Sequence, residues 1–236
     1  MADSSLTIGI IGGTGSHGRG LGFRLAAGGH QVILGSRDLG RAQECADAMA
    51  GTLPAGTPWP TGMTNDATAS AAAVVLLTMP WNADGSPISR LGQALRGKIV
   101  VSCANPIGFD SRGPHQIDTG YGSAAEHVAA LLPDSRVVGA FHHLSARSLL
   151  DPKVDLSHTD VLVCGDDDEA KAAVRRLCMA VTGRNGIDAG PLRLARQIES
   201  FTAVLISVNR RYRTRAAVGL RHAAADLEPA ESPGAA

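Results

Sequence analysis

Lysine is nearly missing from this 236-residue sequence: Lys98, Lys153 and Lys171 are the only three, and every other basic residue is arginine. Dehydrogenases that depend on a catalytic lysine therefore have few positions to use. Net charge is zero as well, which removes the electrostatic case for a nucleic-acid or membrane-surface protein. No apolar run approaches the roughly 18 residues of a membrane span. The opening Met1-Ala2-Asp3-Ser4-Ser5 has neither a basic nor an apolar leader region, so no secretory signal is expected. Cysteines are few, and Cys45, Cys103, Cys164 and Cys178 stand far apart without CxxC or Cys/His spacing. Zinc is thereby disfavoured, and small core residues in a reducing compartment, the cytoplasm, are expected. No internal repeat, Ser-His-Asp set, carboxylate pair or metal cluster stands out.

What remains is ordinary globular composition, 44% hydrophobic and 19% charged. Apolar runs at Leu6–Ile11, Gln31–Leu34, Ala73–Thr78, Ile99–Ser102, Val137–Phe141 and Val161–Cys164 read as strands. Helical stretches fall between them: Gly15–Gly29, Leu39–Met49, Ser86–Leu95, Ser123–Leu132, Asp168–Val181 and Arg193–Arg213. Continuous apolar strands alternating with helices predict a Rossmann-type, doubly wound, mostly parallel α/β sheet. After Phe141 there is room for a small C-terminal α/β lobe with a long terminal helix. The expected division is a nucleotide-binding domain over 1–146, a small lobe over 147–227 and a disordered tail over 228–236. The stretch Leu53–Gly62 reads as a loop leading into a short strand.

The first strand runs into Gly12-Gly13-Thr14-Gly15-Ser16-His17-Gly18 and a helix follows. Gly13-x-Gly15-x-x-Gly18 in that context is a dinucleotide fingerprint. Gly13 is read as the tight turn, Gly15 as the close approach to a pyrophosphate and Gly18 as the helix–strand contact. After the second strand comes Gly35-Ser36-Arg37-Asp38 where an NAD site would place an acidic residue. Ser36, Arg37 and, one helical turn on, Arg41 suit a 2′-phosphate, so NADP is expected over NAD.

Ligands in such sheets bind outside the carboxyl ends of the strands. The loops there carry Met79, Pro80 and Trp81; Asn105, Pro106 and Ile107; and His142, His143, Ser145 and Ala146. At least one of the two histidines is expected to touch ligand, as an acid/base or polarising group. Asp166-Asp167-Asp168-Glu169 reads as a helix cap rather than a metal site. The terminal helix lines up Ile198, Phe201, Thr202, Leu205 and Val208, with Asn209 and an arginine cluster (Arg210, Arg211, Arg213, Arg215) at its end.

These residues together resemble the NADP oxidoreductases that use coenzyme F420, a 5-deazaflavin. The resemblance spans roughly Leu6 to Leu220. It is carried by the glycine loop, Gly35-Ser36-Arg37-Asp38, Thr78-Met79-Pro80-Trp81, Ser123-Ala124-Ala125-Glu126 and Phe141-His142-His143-Leu144-Ser145-Ala146. Cys164-Gly165-Asp166-Asp167-Asp168-Glu169 and Asp188-Ala189-Gly190-Pro191-Leu192 add to it, and Leu205–Tyr212 looks like the actinobacterial branch. It implies reversible hydride transfer between NADP(H) and the deazaflavin. By that likeness Thr14, Gly15, Ser16 and His17 hold the pyrophosphate. Met79, Trp81, Asn105, Pro106, Ile107 and Ala146 line the ribose and nicotinamide. His142, His143, Ser145 and the helix around Asn209 face the deazaflavin, with His142 as the candidate for proton handling. A homodimer is implied too. An acidic tail on the deazaflavin cofactor would give the arginine cluster a purpose. Three other readings compete: a lysine-dependent hydroxyacid dehydrogenase, a reductase of a small biosynthetic imine or enone, and a non-catalytic NADP sensor.

Overall fold

The structure, a computed structural model, describes residues 5–221. The expected tail at 228–236, and the end of the 147–227 segment, lie outside the described residues. In chain order the elements are β1 (Thr7–Ile11), α1 (Ser16–Ala27), β2 (Gln31–Ser36), α2 (Leu39–Ala50), β3 (Thr61–Thr64), α3 (Asn65–Ala71) and β4 (Val74–Leu77). There follow α4 (Ser86–Ser89), α5 (Gly92–Leu95), β5 (Ile99–Ser102), β6 (Ile107–Asp110), β7 (Gly113–Gln116), α6 (Ala124–Leu131) and β8 (Arg136–Gly139). The chain closes with α7 (Ala146–Leu150), β9 (Leu162–Gly165), α8 (Asp168–Thr182), β10 (Ile187–Asp188) and α9 (Ala195–Tyr212).

Among the described residues eight strands form one sheet in the order β10-β9-β8-β5-β4-β1-β2-β3. From β3 to β8 all neighbours are parallel, β9 runs antiparallel to β8, and β10 is parallel to β9. The order reverses beside β1, the switch point where doubly wound sheets bind ligand. Strands β9 and β10 thus extend the nucleotide sheet itself, and its core runs on into the C-terminal segment.

The central strands β1, β4 and β5 are mostly apolar and buried because both faces are covered, whereas the edge strand β3 is not. Ile8, Ile10, Val74, Leu76 and Val101 join one buried cluster with Leu21 and Leu25 of α1 and Val174 and Leu177 of α8. Their alternates Ile11, Val75, Leu77 and Val100 join a second, with Ala125 and Val128 of α6 and Ile198 of α9. That is the period-2 split of a doubly covered parallel sheet.

Helix α1 packs closely on three sides because it is rich in glycine. A Cβ on Gly18 would lie 2.7 Å from Thr78 Oγ1, and one on Gly20 would lie 2.5 Å from Leu149 Cβ. Arg24 of the same helix donates to the carbonyls of Leu149, Ser148, Asp151 and Val154, stitching α1 to α7. The expected helix Ser86–Leu95 is two short ones, α4 and α5, and their cores are broken by the Arg90–Leu91 turn. The sequence reading has no counterpart for α3, α7, the two-residue strand β10 or the β6–β7 hairpin, which packs against α9.

Candidate functional site

Five loops meet beyond the carboxyl ends of the central strands. The glycine loop after β1 is drawn tight by the Gly13 N–H, which donates to the Ile10 and Gly35 carbonyls, and by Gly15 N–H to Gly12 O. The left-handed residue is Gly12, with φ 75°, rather than Gly13. Gly13 is glycine for lack of room: a Cβ there would sit 2.8 Å from Ile10 O and 3.1 Å from Leu34 Cα. Gly15 is different. A Cβ there would meet only Gly12 O, at 3.3 Å, so its outer side is open. Helix α1, which it precedes, has no side-chain cap, as α4, α5, α7 and α9 have none, whereas α2, α3, α6 and α8 are capped by Asp38, Thr64, Ser123 and Asp167. Exposed N–H groups and a positive helix end facing open space fit a pyrophosphate.

At the end of β2, Ser36 is buried and its Oγ accepts the Asp38 N–H. Asp38 caps α2 by accepting the Arg41 N–H, so it faces its own helix, while the Arg37 and Arg41 side chains are exposed. Two free guanidinium groups beside a hydroxyl fit a phosphate ester. Sequence reasoning missed Asn65 here. Its Oδ1 accepts the Gly12 N–H at 3.4 Å and lies 2.9 Å from where a Gly35 Cβ would be. The one available signal was its place immediately after the short third strand.

After β4, Thr78 Oγ1 donates to Ile11 O and Met79 lies against Gly12. Pro80 is exposed at the rim, and Trp81 is half-buried. The Trp81 indole N–H donates to His127 Nδ1 at 3.2 Å. After β5, Asn105 donates to His142 O and accepts from Thr202 Oγ1 of α9. Pro106 is buried, and Ile107 opens the hairpin.

The histidines form a neutral cluster. His142 has a side chain only 1% exposed, and neither of its ring nitrogens has a hydrogen-bond partner among the described residues. Burial, with His143 and His17 nearby, lowers its pKa to about 3. His17 turns toward the backbone of Phe141 rather than outward, and burial lowers it to about 4. His143 is also lowered by burial, while its Nε2 contacts Ile198 O at 2.6 Å and its ring meets Phe201 edge-on. Phe141, just before the pair, has φ 65°, a strained value for a bulky residue at the base of the crevice.

The largest omission of the sequence reading is Glu199. It is fully buried on α9, and its carboxylate accepts the Ala124 and Ala125 N–H groups at 2.7 and 3.0 Å, at the start of α6. Its Oε1 lies 4.0 Å from His142 Nε2. Burial raises its pKa to about 7, opposed by the two N–H bonds. Glu199 thereby locks α9 to α6 and to the floor beneath His142.

Ser145 lines a cavity of about 190 Å³ that Arg215 and Ala216 help to close. His143, Phe201 and Leu205 line a more open apolar groove of about 490 Å³, with residues 217–220 on its far side. Ala146 begins α7. Asn209 is engaged elsewhere: its Oδ1 accepts the Ala216 N–H and ties the helix end to the segment after it. Arg210 stacks over Phe109 of the hairpin, 4.8 Å from the ring centre. The acidic run behaves as a cap, Asp167 accepting the Ala170 N–H. Lys98 holds the carbonyls that end α3, and Lys171 pairs with Asp168 and Asp188, both away from the crevice loops. The thiols of Cys103, Cys164 and Cys178 are all pushed up by burial.

A switch-point crevice, an uncapped glycine-loop helix and free arginines at the second strand define a class: a dinucleotide-binding protein of the Rossmann oxidoreductase type. Comparison narrows it. Residues 7–106 match the family described as NADP oxidoreductase, coenzyme F420-dependent. The chain is 36% identical to the F420-dependent NADP reductase of Methanothermobacter marburgensis over 92% of its length and 97% of the relative's. It is 37% identical to the enzyme of that name from Methanocaldococcus jannaschii, over 89% and 95%. A crystal structure from Arthrobacter sp. FB24, solved as a candidate F420-dependent NADP reductase, superposes with TM-score 0.75 at 26% identity, covering 92% of this chain and all of that one. The chain belongs to the coenzyme F420-dependent NADP oxidoreductase family.

Proposed function

We propose that this protein transfers a hydride reversibly between NADP(H) and the 5-deazaflavin coenzyme F420. The observation that carries the reading is the α1 N-terminus, uncapped and open at Gly15, with Arg37 and Arg41 exposed beyond it. It occurs in a chain aligned with F420-dependent NADP reductases over nearly its whole length. When bound, the nicotinamide C4 and the deazaflavin C5 supply the hydride donor and acceptor, and one proton balances the exchange.

The protein's contribution is placement and exclusion of water. Thr14, Gly15, Ser16 and the first α1 N–H groups hold the pyrophosphate. Ser36, Arg37 and Arg41 hold the 2′-phosphate. Met79, Trp81, Asn105, Pro106, Ile107 and Ala146 wall the nicotinamide half. His143 and Ser145 face the deazaflavin, supported by the apolar groove and the cavity they line. His17 and Pro80 border this frame, and Asn209 ties the end of α9 to the segment after it. His142 is assigned as a positioning residue, since its buried ring lies beneath the crevice while its carbonyl orients Asn105. The balancing proton then exchanges with solvent at the open face.

In this reading residues 1–146 bind NADP, and those after 147 complete the deazaflavin side. Exposed Val204 and Tyr212 on α9 support a homodimer, testable by light scattering. The four free thiols suit a reducing compartment, the cytoplasm, and no helix among the described residues is long and apolar enough to cross a membrane. The test of function is direct: mix the protein with NADPH and oxidised F420 and follow the loss of visible deazaflavin absorbance. Bleaching that NADH cannot match is the expected result. Tight NADPH binding with no bleaching would favour the imine or enone reductase or the sensor.

A further inference from the structure

The loop after β4 carries Trp81, and what holds Trp81 lies 46 residues away on α6. The indole N–H donates to His127 Nδ1 at 3.2 Å. The Tyr121 ring stacks on the other side of the imidazole, centroids 4.2 Å apart and planes 10° from parallel. His127 itself is buried, 4% exposed. Its Nε2 comes within 3.2 Å of where a Gly85 Cβ would sit, and Gly85 has a left-handed φ of 61°. The imidazole is therefore wedged among the indole, the phenol and the turn that ends the 79–85 segment. A ring accepting a hydrogen bond on Nδ1 carries its one proton on Nε2. Two protons would turn Nδ1 into a donor facing another donor.

We propose that His127 is a positioning residue for the crevice: neutral, with its proton on Nε2, it holds the Trp81 indole and so fixes the 79–85 segment as the wall beside the nicotinamide. Three observations support this. Among the described residues neither ring has another hydrogen-bond partner. The stack on Tyr121 fixes the imidazole plane that the bond requires. Gly85 leaves the room that a side chain would take. Burial also pulls the imidazole below its ordinary value, keeping it neutral at pH 7. Tyr121 is the titratable side chain in ring contact with it; Trp81 and Gly85 against it are uncharged, and Glu199 bonds the first turn of the same helix. The inference rests on the reading of this crevice as the nicotinamide site, but its first test needs no deazaflavin.

Trp59 and Trp81 are the two tryptophans, and Trp59 lies exposed outside the crevice. In a Trp59→Phe background Trp81 supplies the whole tryptophan emission, and its dependence on His127 is read by comparison with His127→Gln. Emission should change in one transition as pH falls from 7.5 to 5. His127→Gln, which keeps an acceptor but cannot titrate, should abolish the transition and leave the KM for NADPH within about twofold of wild type. His127→Phe keeps the stack and loses the acceptor, so that KM should rise about three- to tenfold, with kcat changed less than twofold. A transition that persists in His127→Gln, or an unchanged KM in His127→Phe, overturns the proposal. Should His127→Phe fold poorly, Tyr121→Leu replaces it, with a smaller rise in the same KM expected and no rise counting against the proposal. NADPH binding with these emission changes but no reaction with F420 would overturn the proposed reaction and leave the role of His127 standing.

Discussion

Replacing Glu199 by Ala should unfasten the C-terminal helix. The wild-type carboxylate accepts two N–H groups of the α6 first turn, at 2.7 and 3.0 Å, in a position with no solvent exposure. Alanine leaves both donors buried and bare, at about 1–3 kcal/mol each. Removal of the carboxylate also relieves the desolvation of a buried acid, which offsets part of the loss. A net destabilisation of about 3 kcal/mol follows, and for a domain of this size about 2–4 °C in Tm per kcal/mol. A fall of about 6–12 °C is therefore expected, measured by circular dichroism against wild type. Glu199→Gln should fall about half as far, because its carbonyl serves one donor while its NH₂ opposes the other. A Tm for Glu199→Ala within about 2 °C of wild type would refute the reasoning, since that margin is worth less than one hydrogen bond.

Other consequences are as direct. Arg37→Ala should raise the KM for NADPH about 10- to 100-fold and leave that for NADH nearly unchanged, since one charge-assisted phosphate contact is worth about 1.5–3 kcal/mol; equal shifts would remove Arg37 from the 2′-phosphate. Gly18→Ala places a methyl 2.7 Å from Thr78 Oγ1 and 2.8 Å from Gly13 Cα, so NADPH binding by calorimetry should weaken at least tenfold. Gly20→Ala is as crowded, against Leu149, but outside the loop, and should lower Tm with little effect on binding. Folding holds His142 near 3 and His17 near 4, below their ordinary 6.5, so the stability present above pH 6.5 is lost as pH falls through those values. Glu199, raised from 4.5 to about 7, opposes this, its contribution being complete below 4.5 and lost as pH rises through 7. Two histidines outweigh one carboxyl, so Tm should rise from pH 5 to 6.5, and His142→Gln should flatten the rise. Paired Arg210→Ala and Arg211→Ala changes should weaken binding of F420 with its acidic tail but spare a tail-less analogue; equal loss of both would rule out a role for the cluster.

What the sequence revealed was local. The glycine loop, the Ser36-Arg37 turn and the capping of α8 by Asp167 each depend on residues within a few positions, so spacing alone discloses them. The doubly covered sheet was legible for the same reason, since Val74–Leu77 and residues 99–101 are apolar at every position. Glu199 was not legible because its partners are 74 and 75 residues distant and nothing beside it marks a buried acid. The same holds for His127, which in sequence is one polar residue in a helix. The β6–β7 hairpin was hidden by short, exposed strands, although Asp110, accepting the N–H groups of Arg112 and Gly113, did mark its turn. Gly12 and Gly13 show a finer limit: spacing located the turn, but the neighbours that crowd each glycine, Met79 of the loop after β4 at Gly12 and Leu34 of β2 at Gly13, are distant in sequence.

The central claim is that one crevice brings the two carriers into direct contact. It is tested most directly by a single turnover with NADPH deuterated at the transferable C4 position, followed by mass and NMR measurement of the reduced deazaflavin. Deuterium recovered at C5 is the expected result. Hydrogen drawn from solvent at C5, with the label left behind or washed out, would contradict it.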